Sequence, residues 1–239
     1  MEFEKLGDLT INGFGSSNGG IFSNVYINGK GTLNGDIQCQ YFECNGAGTV
    51  NGNIMSRSLE IKGTGKVMGD VESSNLKIEG NGSISGNALS ENMVVSGLLS
   101  VGGNVKGDEI KLQGKLSVGG DCECESFHAD GKFSIDGLLS AEHINIYTFG
   151  DCKVKEMGGQ EIIVKQQKSM VMSLLKKVKS FKFEAEVIEG DEIRLENTKA
   201  HIVRGNNVTI GENCEIDLVE YKGNFEIEKN GYVAKYMQI

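Results

Sequence analysis

Nucleophilic, metal-binding and phosphate-binding chemistry each need converging side chains, and a few residues of this 239-residue chain are of the right type. Cys122-x-Cys124 offers two thiols at close spacing, but without a second pair it is a weak zinc signal. No serine or cysteine has His128, His143 or His201 as an identifiable partner, so no triad can be read. Asp36, Asp70, Asp121 and Asp136 are expected to point outward, where aligned carboxylates can imitate a glycosidase or calcium groove. No long loops are inserted to wall a cleft, so solvated carboxylates that maintain solubility are the better reading. Gly29-Lys30-Gly31 and Gly63-Thr64-Gly65 look like nucleotide-binding loops, yet those loops lead into a helix and these lead into another strand. No catalytic residue, cofactor or metal ligand is therefore expected.

What must position these residues is a repeat. Val25, Phe42, Leu59, Leu76, Met93, Ile110, Phe127 and Ile144 open segments that recur every 17 residues, with an earlier copy at Leu9 offset by 16. Within a copy, even offsets are mostly apolar or glycine and odd offsets mostly polar, the period-two pattern of strands with one buried face. Glycine is held in register at two places. Offset four gives Gly13, Gly29, Gly46, Gly63, Gly80, Gly97, Gly114 and Gly131. Offset ten gives Gly19, Gly35, Gly52, Gly69, Gly86, Gly103, Gly120 and Gly137. These are read as corners, since glycine is where a strand bends or takes positive φ. At about 3.3 Å per residue a 17-residue coil has a perimeter of about 56 Å, which suits three sides, stacked as parallel strands about 4.8 Å apart.

The fold expected is thus all-β, a three-sided parallel β-helix (β-solenoid) with about 17 residues per rung. The absence of proline among 239 residues fits, because interior rungs must donate N–H groups to their neighbours. Offset six changes from Gly15, Gly31, Gly48, Gly65 and Gly82 to Leu99, Leu116 and Phe133, which predicts better packing in the later rungs. The pattern is lost after Ile144. Residues 1–156 are assigned to the main solenoid, 157–180 to a helical linker or cap, and 181–239 to a second, shorter solenoid segment. Within the linker, Val171, Leu174, Leu175 and Val178 fall at helical spacing beside Lys168, Lys176, Lys177 and Lys179, and predict a short amphipathic helix over 168–179. Such a helix can cap the solenoid or meet a membrane surface or partner.

Composition narrows the partners. A net charge of −9 opposes a nucleic-acid surface. Charged residues from Glu2 to Asp8 occupy the place of a secretory apolar stretch, so a cytoplasmic location is expected, and the six cysteines are expected as thiols, mostly in the core.

Units such as Leu59–Val71, apolar-x-apolar-x-Gly-x-Gly-x-apolar-x-Gly-x-apolar, resemble the bactofilins, bacterial polymer-forming cytoskeletal proteins. The resemblance covers about residues 8–155 and more weakly 181–239. It implies a right-handed coil and a non-enzymatic protein that assembles with itself, end to end and without nucleotide. It also implies filaments that scaffold cell-envelope or morphogenetic proteins, possible partners along with other bactofilin-like chains. Membrane contact is a feature of many relatives that this N-terminus does not support. Independently, open solenoid ends invite pairing unless capped. Phe3, Leu6, Leu9 and Ile11 near the start, and Phe225, Ile227, Tyr232, Val233 and Tyr236 near the end, are the candidate self-association residues; the competing reading is that they cap their own rungs. A hexapeptide-type acyltransferase, suggested faintly by Ile210 to Cys214, and a carbohydrate-binding β-helix are the alternatives.

Overall fold

The computed structural model describes residues 6–148, 151–166 and 183–239. It divides into unit 1, Met1–Gly120, and unit 2, Asp121–Ile239. Both are parallel β-solenoids, and every described segment with regular structure is strand. The predicted helix over 168–179 lies outside the described residues.

In unit 1 one rung is a long strand and a short one, for example Ile54–Ile61 and Thr64–Val67. The long strand pairs with Val71–Ile78 through Ser56↔Ser73 and then Ser58↔Asn75, so the ladder skips Arg57 and the strand folds there. Each rung therefore has three sides. The 17-residue register holds from Val25↔Phe42 through Met93↔Ile110, and Leu9↔Val25 shows the shorter first step of 16. Even-offset residues such as Leu59, Ile61, Val67 and Val71 are at most 2% exposed. Alternation in sequence has become a core only one coil wide.

The corner glycines have a more specific cause than bending. Among the described glycines only Gly20 and Gly35 have left-handed φ, 154° and 107°. At offset four the reason is close approach: a Cβ on Gly46, Gly63, Gly80, Gly97 or Gly114 would overlap the carbonyl oxygen of the corner glycine one rung earlier. At offset ten, a side chain from the preceding rung occupies the space. Asp36 Oδ1 would lie 2.7 Å from a Cβ on Gly52, and Asn53, Asp70, Asn87 and Asn104 stand likewise against Gly69, Gly86, Gly103 and Gly120.

Those Asp and Asn residues form a ladder. Asp36 Oδ1 accepts from Asn53 N at 2.8 Å, Asn53 Oδ1 from Asp70 N at 2.8 Å, Asp70 Oδ1 from Asn87 N at 2.7 Å and Asn87 Oδ1 from Asn104 N at 2.8 Å. Each side chain satisfies a corner N–H that the strand ladder does not reach. Replacing Asp70 by alanine is expected to cost about 1 kcal/mol, and Asp70→Asn much less because an acceptor oxygen remains. Urea midpoints of the two variants check this; equal losses would contradict it.

At offset six, Gly31, Gly48, Gly65 and Gly82 do not leave their rungs hollow, whereas a Cβ on Gly15 would meet only Ile11 Cγ2, at 3.6 Å. A Cβ at Gly48 would lie 2.9 Å from Cys44 Sγ and 3.0 Å from Ile27 Cδ1, and one at Gly82 3.1 Å from Leu99 Cδ1. Neighbouring branched side chains already fill the space.

In unit 2 the period varies. Cys122↔Leu139 keeps 17, whereas Ile144 meets Ile162, 18 residues on. Ile162 then pairs with Ile193, Ile193 with Val208 at a step of 15, and Val208 with Phe225 at 17. The strand Cys152–Gln166 takes in residues 157–166, so this part of the assigned helical linker is a rung instead. Sequence alternation missed it because the step lengthens and Gly158-Gly159 interrupt the apolar pattern. Residues from Phe183 onward stack directly on that rung. Asparagine takes over one corner: Asn197, Asn213 and Asn230 have φ of 50°, 59° and 70°, and Asn213 Nδ2 donates to Asn197 Oδ1 at 3.0 Å. Gly131 sits in a bend, while Gly137 lies inside the strand Lys132–Thr148, where the ladder is irregular between Ile135 and Leu138.

Candidate assembly surfaces

The residues with potential chemistry are dispersed or buried by this architecture. All six cysteines are buried free thiols. Burial pushes Cys39, Cys152 and Cys214 up to about 11, away from the thiolate form that nucleophiles and metal ligands need. Cys122 is raised by its hydrogen bond with Cys124 and by burial. Among the described residues no group of three or more His, Cys, Asp and Glu side chains could hold a metal ion. The histidines each face a carboxylate and no nucleophile: His128 lies 3.2 Å from Asp130, His143 3.3 Å from Glu161 and His201 2.7 Å from Asp217.

Two of the aspartates read as outward carboxylates, Asp36 and Asp70, belong to the corner ladder of unit 1, and in unit 2 Asp121 Oδ1 accepts from Leu138 N at 2.8 Å. On an adjoining face of unit 1 the Tyr41 hydroxyl is shared between the Glu43 and Glu60 carboxylates at 2.7 and 2.8 Å, with Lys62 bridging both. These are contacts between rungs, and they tie one coil to the next. Unit 2 has a recess of about 490 Å³ floored by Gly158, Gly159, Gly190 and Gly205. Arg204 beside it is held by Glu189 at 3.1 Å and Glu220 at 2.7 Å. Each Gly-x-Gly pair leads into strand, so no helix N-terminus stands ready for phosphate.

The ends of the coils are different in kind. In unit 1 the first strands, Leu9–Ile11 and Phe14–Ile21, pair on one side, with Asn24–Ile27 and Lys30–Cys44; among the described residues nothing pairs with their other edge. Leu6 is 43% exposed and is tied down by Ser23 Oγ donating to its carbonyl at 2.7 Å. Leu9 is half-buried, and Ile11 is core, packed where a Cβ on Gly31 would go. Ile11 thus packs against the next rung of its own chain. Phe3 lies outside the described residues. The sequence reading missed Phe14, 91% exposed, and Ile21, 59% exposed. An apolar residue at an outward offset could have flagged Phe14. Ile21 falls at an even offset, yet the ladder shifts register between Asn18 and Gly20 and sets Ile21 beside the exposed Gln38, on the outward face.

In unit 2 the last strands, Phe225–Ile227 and Tyr232–Gln238, also pair on one side, with Thr198–Ile210 and Glu215–Tyr221. Phe225 is half-buried between Tyr221 and Tyr236, each with its ring centroid 5.1 Å away. Tyr232 and Tyr236 are 62% and 61% exposed, Ile227 is 40% exposed, and Val233 is half-buried. Met237 and Ile239 extend the apolar surface. Each unit therefore carries a terminal rung with open backbone edges and uncovered large apolar side chains, a combination that favours strand pairing with another chain.

A family model described as bactofilin, polymer-forming cytoskeletal, matches residues 2–88. The chain is 58% identical over 226 residues to a Bacillus subtilis (strain 168) protein named "Uncharacterized protein YhbE", covering 94% of this chain and 95% of that one. It is also 39% identical over 82 residues to "Uncharacterized protein YhbF" of the same organism, covering 34% of this chain and 33% of the relative. No solved structure matches the chain. Among the described residues no helix is long and apolar enough to cross a membrane.

Proposed function

Because the chain belongs to the bactofilins, we propose that it is a structural, non-enzymatic protein whose copies join end to end into nucleotide-independent filaments. In this reading the filaments lie in the cytoplasm and scaffold cell-envelope or morphogenetic proteins. The observation that carries it is the pair of terminal rungs, each with exposed aromatic side chains and a strand edge that no strand among the described residues pairs with. A hexapeptide-type acyltransferase would need a six-residue period and a histidine in a cleft. The 17-residue register and the three carboxylate-facing histidines support neither.

The self-association residues follow from this reading: Leu6, Phe14 and Ile21 at one rung, and Phe225, Ile227, Tyr232, Val233 and Tyr236 at the other. Burying one such side chain contributes about 1.5–3 kcal/mol, so losing it should raise the critical concentration about 10- to 100-fold. Tyr236→Asp and Phe14→Asp are expected to move the protein from pellet to supernatant on sedimentation, with an unchanged β-sheet circular dichroism spectrum. Pelleting identical to the parent in both variants would remove the end-contact reading.

A further inference from the structure

On unit 1 the corner where the long strands fold bears a groove of about 240 Å³. Met55, Glu72, Leu89 and Lys106 stand one above another along it, in register from rung to rung. Beside them run Ser74, Glu91 and Asp108, with Ser74 Oγ donating to Glu91 at 3.2 Å. One feature sets this groove apart from an ordinary solvated corner. Met55 and Leu89 are 49% and 43% exposed, an apolar lining among carboxylates.

The same chain contains the complement. From Lys165 to Lys182 the sequence carries six lysines, Lys165, Lys168, Lys176, Lys177, Lys179 and Lys182, and no acidic residue, interspersed with Val171, Leu174, Leu175 and Val178. The coil does not need this length: Val164 pairs with Leu195 and Cys152 with Phe183 on adjacent rungs, while two residues, Glu196 and Asn197, suffice to join the next strands.

We propose that the lysine-rich segment of one copy docks in the acidic groove of a second copy and joins filaments side by side. Chains of net charge −9 repel one another laterally, and a basic segment repeated along a polymer offsets that repulsion many times over. Contacts of this kind weaken as salt rises. The inference goes beyond end-to-end assembly, and its test leaves the terminal rungs untouched.

The test uses a fluorescent peptide of residues 165–182 titrated against the full-length protein, read by anisotropy at low and high salt. The triple variant Glu72→Lys, Glu91→Lys, Asp108→Lys should bind it about tenfold or more weakly. A peptide carrying Lys176→Glu, Lys177→Glu and Lys179→Glu should regain affinity for that variant. Electron micrographs of the groove variant should show single filaments in place of bundles, at unchanged filament length. Equal affinity for parent and groove variant overturns the proposal. So does a peptide that binds anionic lipid vesicles and not the protein.

Discussion

Gly80→Ala is expected to destabilise unit 1 by about 3 kcal/mol, the upper end for overpacking, and to lower its unfolding midpoint by about 6–12 °C. Its new Cβ would overlap the carbonyl oxygens of Gly63 and Lys62. Neither oxygen can retreat easily. The backbone at this corner is fixed rung to rung, with Gly80 N donating to Ile61 O at 3.0 Å and Asn81 N to Gly63 O at 2.8 Å. Gly13 provides the control, because a Cβ there meets nothing within 4 Å. Gly13→Ala should stay within about 0.5 kcal/mol of the parent. Thermal unfolding followed by circular dichroism separates the two, and equal midpoints would show that these glycines serve flexibility and not close approach.

A second large effect is expected at Phe127 in unit 2. Its side chain is fully buried, its ring centroid is 5.3 Å from that of Phe133 in an edge contact, and Phe133 is 6.1 Å from Phe183. The coil interior holds few side chains per rung, so a removed ring leaves a cavity that neighbours above and below cannot close without breaking register. Phe127→Ala should therefore cost about 3–5 kcal/mol. Phe127→Leu keeps most of the volume and should cost about 1 kcal/mol. Chemical denaturation monitored through the far-UV signal measures both. A loss below 1 kcal/mol for the alanine variant would mean that this rung is loosely packed.

The parts of the structure legible in sequence are those that repeat in residue type. Alternation at Leu59, Ile61, Val67 and Val71 named the core faces, and the glycines at offsets four and ten marked the corners. The cause of those glycines was not legible, since it lies in carbonyl oxygens and Asp or Asn side chains one rung away. The rung through Ile162 and Val164 was hidden by an 18-residue step, an apolar Ile163 at an outward position and the loss of the corner glycine. The asparagine corner at Asn197, Asn213 and Asn230 was not legible for a related reason: asparagine takes up positive φ there but is common at ordinary φ as well. At the ends, Leu6 and Tyr236 were legible as apolar residues outside the regular pattern. Ile21 was not legible, because a register shift between Asn18 and Gly20 turns it outward, and Ile11 is covered by its packing over Gly31.

The proposed filament depends on contacts between terminal rungs. Negative-stain electron microscopy of the purified full-length protein, without nucleotide and across a range of salt concentrations, addresses it most directly. Filaments should form without nucleotide and disappear in the Tyr236→Asp variant. Discrete small oligomers under every condition would contradict the account and turn attention to a binding module.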